Sequence, residues 1–205
     1  MIGYKFLASG AVAPFTGFRW PVPDGGPGPW VEAASGRAEL GIHACRTCDL
    51  AYWLDAELWR AELADPVGEG QRQVMASRGR LLERVAAWGP QTAAQFAQGA
   101  ALLARDRVAA TLRRAGFEAD ARELARCADL RGLLAASRAV PPSSGLSSSL
   151  TAYLTEAAET ALAGDFAVSA YISARAAVPS SGGDEGAFAA ERANQSRWLA
   201  ERLGL

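Results

Sequence analysis

Apolar and polar residues recur along this chain with two different periods, and the change from one to the other falls near Trp88. Before it, Tyr4 and Phe6 alternate with Lys5 and Leu7, and Phe18 and Trp20 flank Arg19, a period of two that predicts half-buried strands. Leu58 to Leu63 repeats the pattern, with Trp59, Ala61 and Leu63 on one face and Arg60 and Glu62 on the other, as in an antiparallel strand with one wet side. The stretch from Pro21 to Pro29 alternates proline with glycine and predicts an exposed loop, because proline cannot donate to a strand ladder. Trp30-Val31-Glu32 and Gly41 to Cys45 resume extended runs. A short helix follows, with Thr47 or Asp49 as N-cap and Leu50, Trp53 and Leu54 on one face. Pro66 to Gly70 predicts a turn and Gln71 to Arg78 another strand, while Arg80 to Trp88 fits either a helix or a strand.

From Gly89 the period lengthens to that of helices. Pro90 suits a first helical turn and Gly116 the residue beyond a last one, with Gly99 a candidate break between them. A second helix is predicted from about Glu118 to Arg138, stopped by Pro141-Pro142, with Ser143-Ser144-Gly145 as a flexible link. Ser147 to Ser149 offer caps for a third helix through Ala163, and Gly164-Asp165 sets a C-cap beside an N-cap, as a tight helical hairpin requires. The fourth helix ends before Pro179, and Asp184 can cap a last one that closes at Gly204. Strands segregated before helices predict an α+β fold: a small antiparallel β-rich domain over residues 1–88, packed on a bundle of four or five helices over residues 89–205.

Composition narrows the function classes. Half of the 205 residues are apolar, enough for a substantial core, and the formal charge of −1 lacks the basic excess of a nucleic-acid binder. No secretory leader pattern opens the sequence and no apolar run is long enough to span a bilayer, so the expectation is a cytoplasmic protein with no membrane partner. Three cysteines do not make a disulfide framework. The basic residues are nearly all arginine, Lys5 being the only lysine.

Chemistry concentrates between Gly41 and Leu54, where the only histidine and two of the cysteines fall together. On a strand His43 and Cys45 would share a face, with Cys48 returning after a turn. His43, Cys45 and Cys48 are of the types zinc prefers, with Asp49, Cys127 or water as a fourth ligand, but no second ligand pair stands at a distance, and neither a metal nor a cofactor is expected. His43 could instead lower the pKa of Cys45 to make a nucleophile, with Asp49 orienting the imidazole. Cys45 and Cys48 at a helix start could form a redox pair. The simplest alternative is a packed strand-to-helix corner.

The same residues carry a resemblance. Tyr4-Lys5-Phe6-Leu7, Gly17-Phe18 and above all Gly41-Ile42-His43-Ala44-Cys45 followed by Asp49-Leu50 resemble an uncharacterised bacterial family marked by a Gly-x-His-Ala-Cys segment after a glycine- and proline-broken strand. The resemblance spans about the first 88 residues and implies no particular activity. Its pattern lacks the second cysteine, which leaves Cys48 outside any shared chemistry.

Tyr52, Trp53, Trp59 and Trp88 are more large aromatics than a small domain needs for its core, and they point to a ligand or partner site on an aromatic-rich surface between the two domains. Arg131 and Arg138 stand seven apart within an apolar arc that includes Leu124, so each must snorkel, pair with a carboxylate from another element, or hold an anionic ligand. Trp198 projects away from the stripe of Phe188, Ala189, Ala193, Ser196, Leu199, Ala200 and Leu203, and needs either a neighbouring element or a second copy in a homodimer. The expected function is a binding or assembly protein for a small molecule or a protein partner. The alternative is a transferase or hydrolase built on Cys45 and His43, with Asp49 in support.

Overall fold

The alternation at Tyr4 to Leu7 is a strand, β1 (Ile2–Leu7), followed by two short ones, β2 (Val31–Glu32) and β3 (Ile42–Ala44), and by the long β4 (Glu57–Gly70) and β5 (Gln73–Arg84). These coordinates are a computed structural model that describes residues 1–33, 41–141 and 145–205. The backbone divides into two units, Met1–Pro90 with Ser196–Leu205, and Gln91–Gln195.

In the first unit β4 and β5 form an antiparallel hairpin whose two-residue turn is Gln71-Arg72. β1 pairs with the outer edge of β4, while β2 and β3 pair one after the other with the far edge of β5. The sheet then closes on itself: Tyr4 and Cys45 exchange backbone hydrogen bonds of 2.8 and 2.7 Å, joining β1 to the end of β3. The interior holds Leu7, Trp20, Ile42, Trp59, Leu63 and Leu81 among small residues such as Ala44, Ala61 and Ala76. On the wet face Glu62 of β4 meets Arg80 of β5 at 2.7 Å and Arg60 meets Glu83 at 3.1 Å, the cross-strand pairing that the alternation of this strand implied.

Several local expectations are corrected. The turn predicted at Pro66 to Gly70 lies inside β4, where Asp65 has φ +53° and the register shifts between Pro66 and Gly68; the bulge lets a proline sit in a strand without donating. Phe18 to Trp20 is not a strand; isolated bridges from Ala8 to Val12 and from Val12 to Arg19, with backbone bonds such as Trp20 N to the Ala11 carbonyl at 2.9 Å, order that segment. The short helix is a 3₁₀ helix, Thr47–Tyr52, and neither Thr47 nor Asp49 caps it: the N-cap is Arg46, which uses its guanidinium on Asp49 instead. Of the two options at Arg80 to Trp88, β5 takes the strand as far as Arg84.

The helical region holds seven α-helices among the described residues, not four or five: α1 (Pro90–Arg114), α2 (Glu118–Arg126), α3 (Leu130–Ala139), α4 (Gly145–Ala163), α5 (Phe166–Arg175), α6 (Ala177–Ser180) and α7 (Gly186–Leu203). Two breaks account for the difference. The predicted second helix divides at Cys127 to Asp129, because the Asp129 carboxylate accepts from Gly132 N at 2.8 Å and starts α3 afresh. The predicted fourth helix divides at Ala176, and α6 then runs past Pro179, whose missing N–H falls in a first turn that needs no partner. Gly99 does not break α1. The core of this unit gathers Val108, Leu112, Leu124, Leu133, Leu150 and Leu154 around closely packed alanines. The Ser143-Ser144 link lies outside the described residues.

The buried face of α7 differs from its apolar stripe. Leu199 and Leu203 are buried, but so are Glu191, Arg192, Gln195 and Ser196, while Ala193 is exposed. These polar side chains are buried with partners: Glu191 accepts from Arg107, and Gln195 accepts from Arg192 at 2.8 Å and donates to the Ala170 carbonyl at 2.9 Å. Trp198 is half-buried. No helix among the described residues is long and apolar enough to cross a membrane.

Two glycines separate close packing from open space. A Cβ at Gly79 would stand 2.8 Å from Ile42 Cγ2 and 3.3 Å from Leu63 Cδ2, whereas one at Gly99 meets nothing within 4 Å. Gly79→Ala should therefore cost about 2 kcal/mol, as overpacking does, and Gly99→Ala should add about 0.5–1 kcal/mol through helix propensity. Urea unfolding of both variants checks the two signs.

Candidate functional site

β1 alternates sides, so Lys5 shares the inward face with Gly3, whose added Cβ would touch Ala44, and with Leu7 of the interior core. A lysine on that face has little water. Its ammonium donates to the His43 carbonyl at 2.6 Å and lies 5.0 Å from the centre of the Trp20 ring. Burial pulls its pKa from the usual 10.5 down to about 8, against a smaller opposing influence from Cys45.

Around this amine the first unit opens a cleft of about 880 Å³, lined by Phe15, Phe18, Trp20, Tyr52, Trp53 and the strand His43 to Cys45. Phe15 is 85% exposed and Phe18 45%, although both are large apolar side chains. Phe18 packs edge-to-face on Trp20, ring centres 5.7 Å apart. Tyr52 and Trp53 are held from the hairpin turn: the Trp53 indole donates to the Arg72 carbonyl at 2.8 Å, and the Arg72 guanidinium lies 3.9 Å over the Tyr52 ring.

The segment that carries Phe15, Phe18 and Trp20 hangs from one buried carboxylate. Gly10 and Ala11 both adopt left-handed φ, +78° and +57°, which aims their successive N–H groups at Glu57, at 3.0 and 3.2 Å. The Trp59 indole donates to the same carboxylate at 3.0 Å. Burial alone would raise the Glu57 carboxyl, but the bonds from Trp59, Gly10 and Ala11, with Arg84 nearby, outweigh it and hold the pKa below the usual range.

His43 and Cys45 both line the cleft, yet no hydrogen bond joins them, and His43 Nδ1 is buried with no hydrogen-bond partner among the described residues. Cys45 is buried; desolvation first and the Asp49 charge second push its thiol up to about 12, so it is protonated at neutral pH. Asp49 is taken by Arg46 at 2.8 Å and accepts a long contact from the exposed Cys48 thiol at 3.6 Å. Among the described residues no group of three or more His, Cys, Asp and Glu side chains gathers as metal ligands would.

Trp59 and Trp88 are core residues rather than cleft walls, Trp88 packing edge-to-face on Phe6 and donating to the Asp55 carbonyl at 2.8 Å. In the second unit the break between α2 and α3 removes the seven-residue register that tied Arg131 and Arg138 to Leu124. Arg131 is exposed, and Arg138 pairs with Glu159 of α4. Sequence reasoning missed Lys5, Phe15, Phe18, Trp20 and Glu57. For Lys5 the signal was present, since the only lysine of the chain alternates onto the face of Leu7. No protein-family model, curated protein or solved structure matches the chain.

Two predictions follow from these charges. Between pH 8 and 10.5 the unfolded chain binds more protons at Lys5 than the folded one, so stability rises with pH across that window, and the cost of the buried ammonium is full below it. Lys5→Met should therefore raise stability at pH 7, on the order of 1–2 kcal/mol after loss of the bond to His43, with the advantage gone by pH 10.5. Paired thermal melts at pH 7, 9 and 10.5 check it. Glu57 works in the opposite sense: its contribution is present above the unfolded carboxylate pKa of about 4.3 and is lost as pH falls through the lower folded value. Glu57→Gln should cost roughly 2 kcal/mol at pH 7 and less at pH 3, read by urea unfolding at both.

Proposed function

We propose that this chain is a small-molecule binding protein whose site is the cleft of the first unit. The observation that carries the reading is the placement of Phe15 and Phe18, large apolar side chains left in water, on an apolar cleft of about 880 Å³. Ligand sites combine apolar walls with a few placed polar groups. Here Trp20, Tyr52 and Trp53 supply further wall, and Lys5 and the His43 backbone supply the polar element. The walls are preorganised, because Glu57 fixes the segment that carries the phenylalanines and Arg72 fixes Tyr52 and Trp53. A preorganised pocket spends less of its binding energy on ordering. Thiolate chemistry at Cys45 forms no part of this reading, given the buried and protonated thiol. Free cysteines at 45, 48 and 127 support a reducing compartment, the cytoplasm, as its setting.

Nile red, a neutral apolar dye, tests the reading. Its fluorescence should rise saturably on titration with the full chain, and Phe15→Ser combined with Phe18→Ser should weaken binding at least fivefold, with the melting temperature lowered only by loss of the Phe18–Trp20 contact, because Phe15 stands largely in water and Phe18 is 45% exposed. Non-saturable binding, or a double variant that binds as tightly as the parent chain, would overturn it.

A further inference from the structure

We infer that the ligand of this cleft is a monocarboxylate with an apolar body, its carboxylate paired with the Lys5 ammonium; this rests on the reading of the cleft as a binding site. Among the described lining residues Lys5 is the one lysine or arginine, and it forms no ion pair with any described residue. An ammonium has three donors, and the hydrogen bonds of the described residues account for a single one, to the His43 carbonyl. The remaining donors belong to a charged group 5.0 Å from the centre of the Trp20 ring, in a cleft of about 880 Å³ that Phe18 and Tyr52 also line. An ammonium in such surroundings is costly unless a counter-charge meets it.

The two acidic side chains of the lining are already engaged. Glu32 lies 4.0 Å from Arg78 and is largely exposed, and the Asp55 carboxylate accepts from Ala56 N at 2.7 Å. The counter-charge that no described residue gives Lys5 can therefore come with the ligand. A single ammonium matches a single negative charge; a phosphate ester would call for a second cation or a cluster of backbone donors, and the described lining offers no other side-chain cation. The aromatic walls then take the rest of the molecule, an acyl chain or a ring.

Displacement of Nile red by octanoate and by its uncharged methyl ester distinguishes the steps, measured on the full chain, on Lys5→Met and on Lys5→Arg. In the parent protein octanoate should displace the dye at roughly tenfold lower concentration than the ester, the value of one charge-assisted hydrogen bond. Lys5→Met should still bind Nile red, which shows that the cleft is intact, but should treat acid and ester alike, and Lys5→Arg should keep part of the preference. Saturable Nile red binding with no preference for octanoate, or a preference that survives in Lys5→Met, overturns the carboxylate inference and leaves the cleft reading standing. A parent chain that does not bind Nile red saturably overturns both.

Discussion

The first unit depends on the closure of a very narrow sheet. β1 and β3 are short, and a single pair of backbone hydrogen bonds between Tyr4 and Cys45 joins them, so closure rests on how closely the strands approach rather than on a long ladder. Small residues permit the approach. A Cβ on Gly3 would fall 3.0 Å from that of Ala44 and one on Gly79 2.8 Å from Ile42, while Ala61 and Ala76 face the same interior. The β4 bulges add the bend that brings both ends of a fourteen-residue strand to different neighbours. Small residues line the points of closest approach, and larger ones such as Trp59 and Leu81 fill the rest of the interior. Its one long inward side chain on β1, Lys5, reaches the His43 carbonyl and the Trp20 ring, and there the cleft opens.

Glu57 then sets the second boundary condition. It stands at the first position of β4, paired with Leu7 at the last of β1, where the chain leaves the sheet for the segment that ends at Trp20. A left-handed alanine costs backbone energy at Ala11, and the carboxylate offsets it with bonds to the Gly10 and Ala11 amides. A segment with almost no ladder of its own is thereby held in one conformation, and with it three of the aromatic walls.

What the sequence made legible followed local rules. The alternation of Trp59, Ala61 and Leu63 against Arg60 and Glu62 survives because one strand face meets the core and the other meets β5's Arg80 and Glu83. Gly116, Asp165 and Asp184 mark helix ends because a left-handed φ or a side-chain cap is chemically specific. Pairing across distance was not legible. Pro66 signals a turn by itself, and only the bulge opposite Ala76 makes it a strand residue. Asp129 divided a helix that periodicity ran through, since a capping bond outweighs continuity where Cys127 and Ala128 offer little burial. The polar residues buried on α7 defeat a hydropathy stripe for the same reason: Arg107 and the Ala170 carbonyl, far off in sequence, complete them.

The contrast between Cys45 and Lys5 shows how environment reassigns chemistry. By residue type the Gly41 to Leu54 stretch looked like the reactive centre, because histidine and cysteine carry most thiol and metal chemistry. Burial favours the neutral form of both side chains and so moves their pKa values in opposite directions, up for the Cys45 thiol and down for the Lys5 ammonium. At neutral pH the thiol is therefore protonated, while the amine remains mostly charged and short of a counter-ion among the described residues. A fold gains nothing in stability from such a group, since methionine of similar length would pack without the penalty. Its place on the inward face, between a backbone carbonyl and an indole, is the local inconsistency from which the proposed carboxylate site is argued.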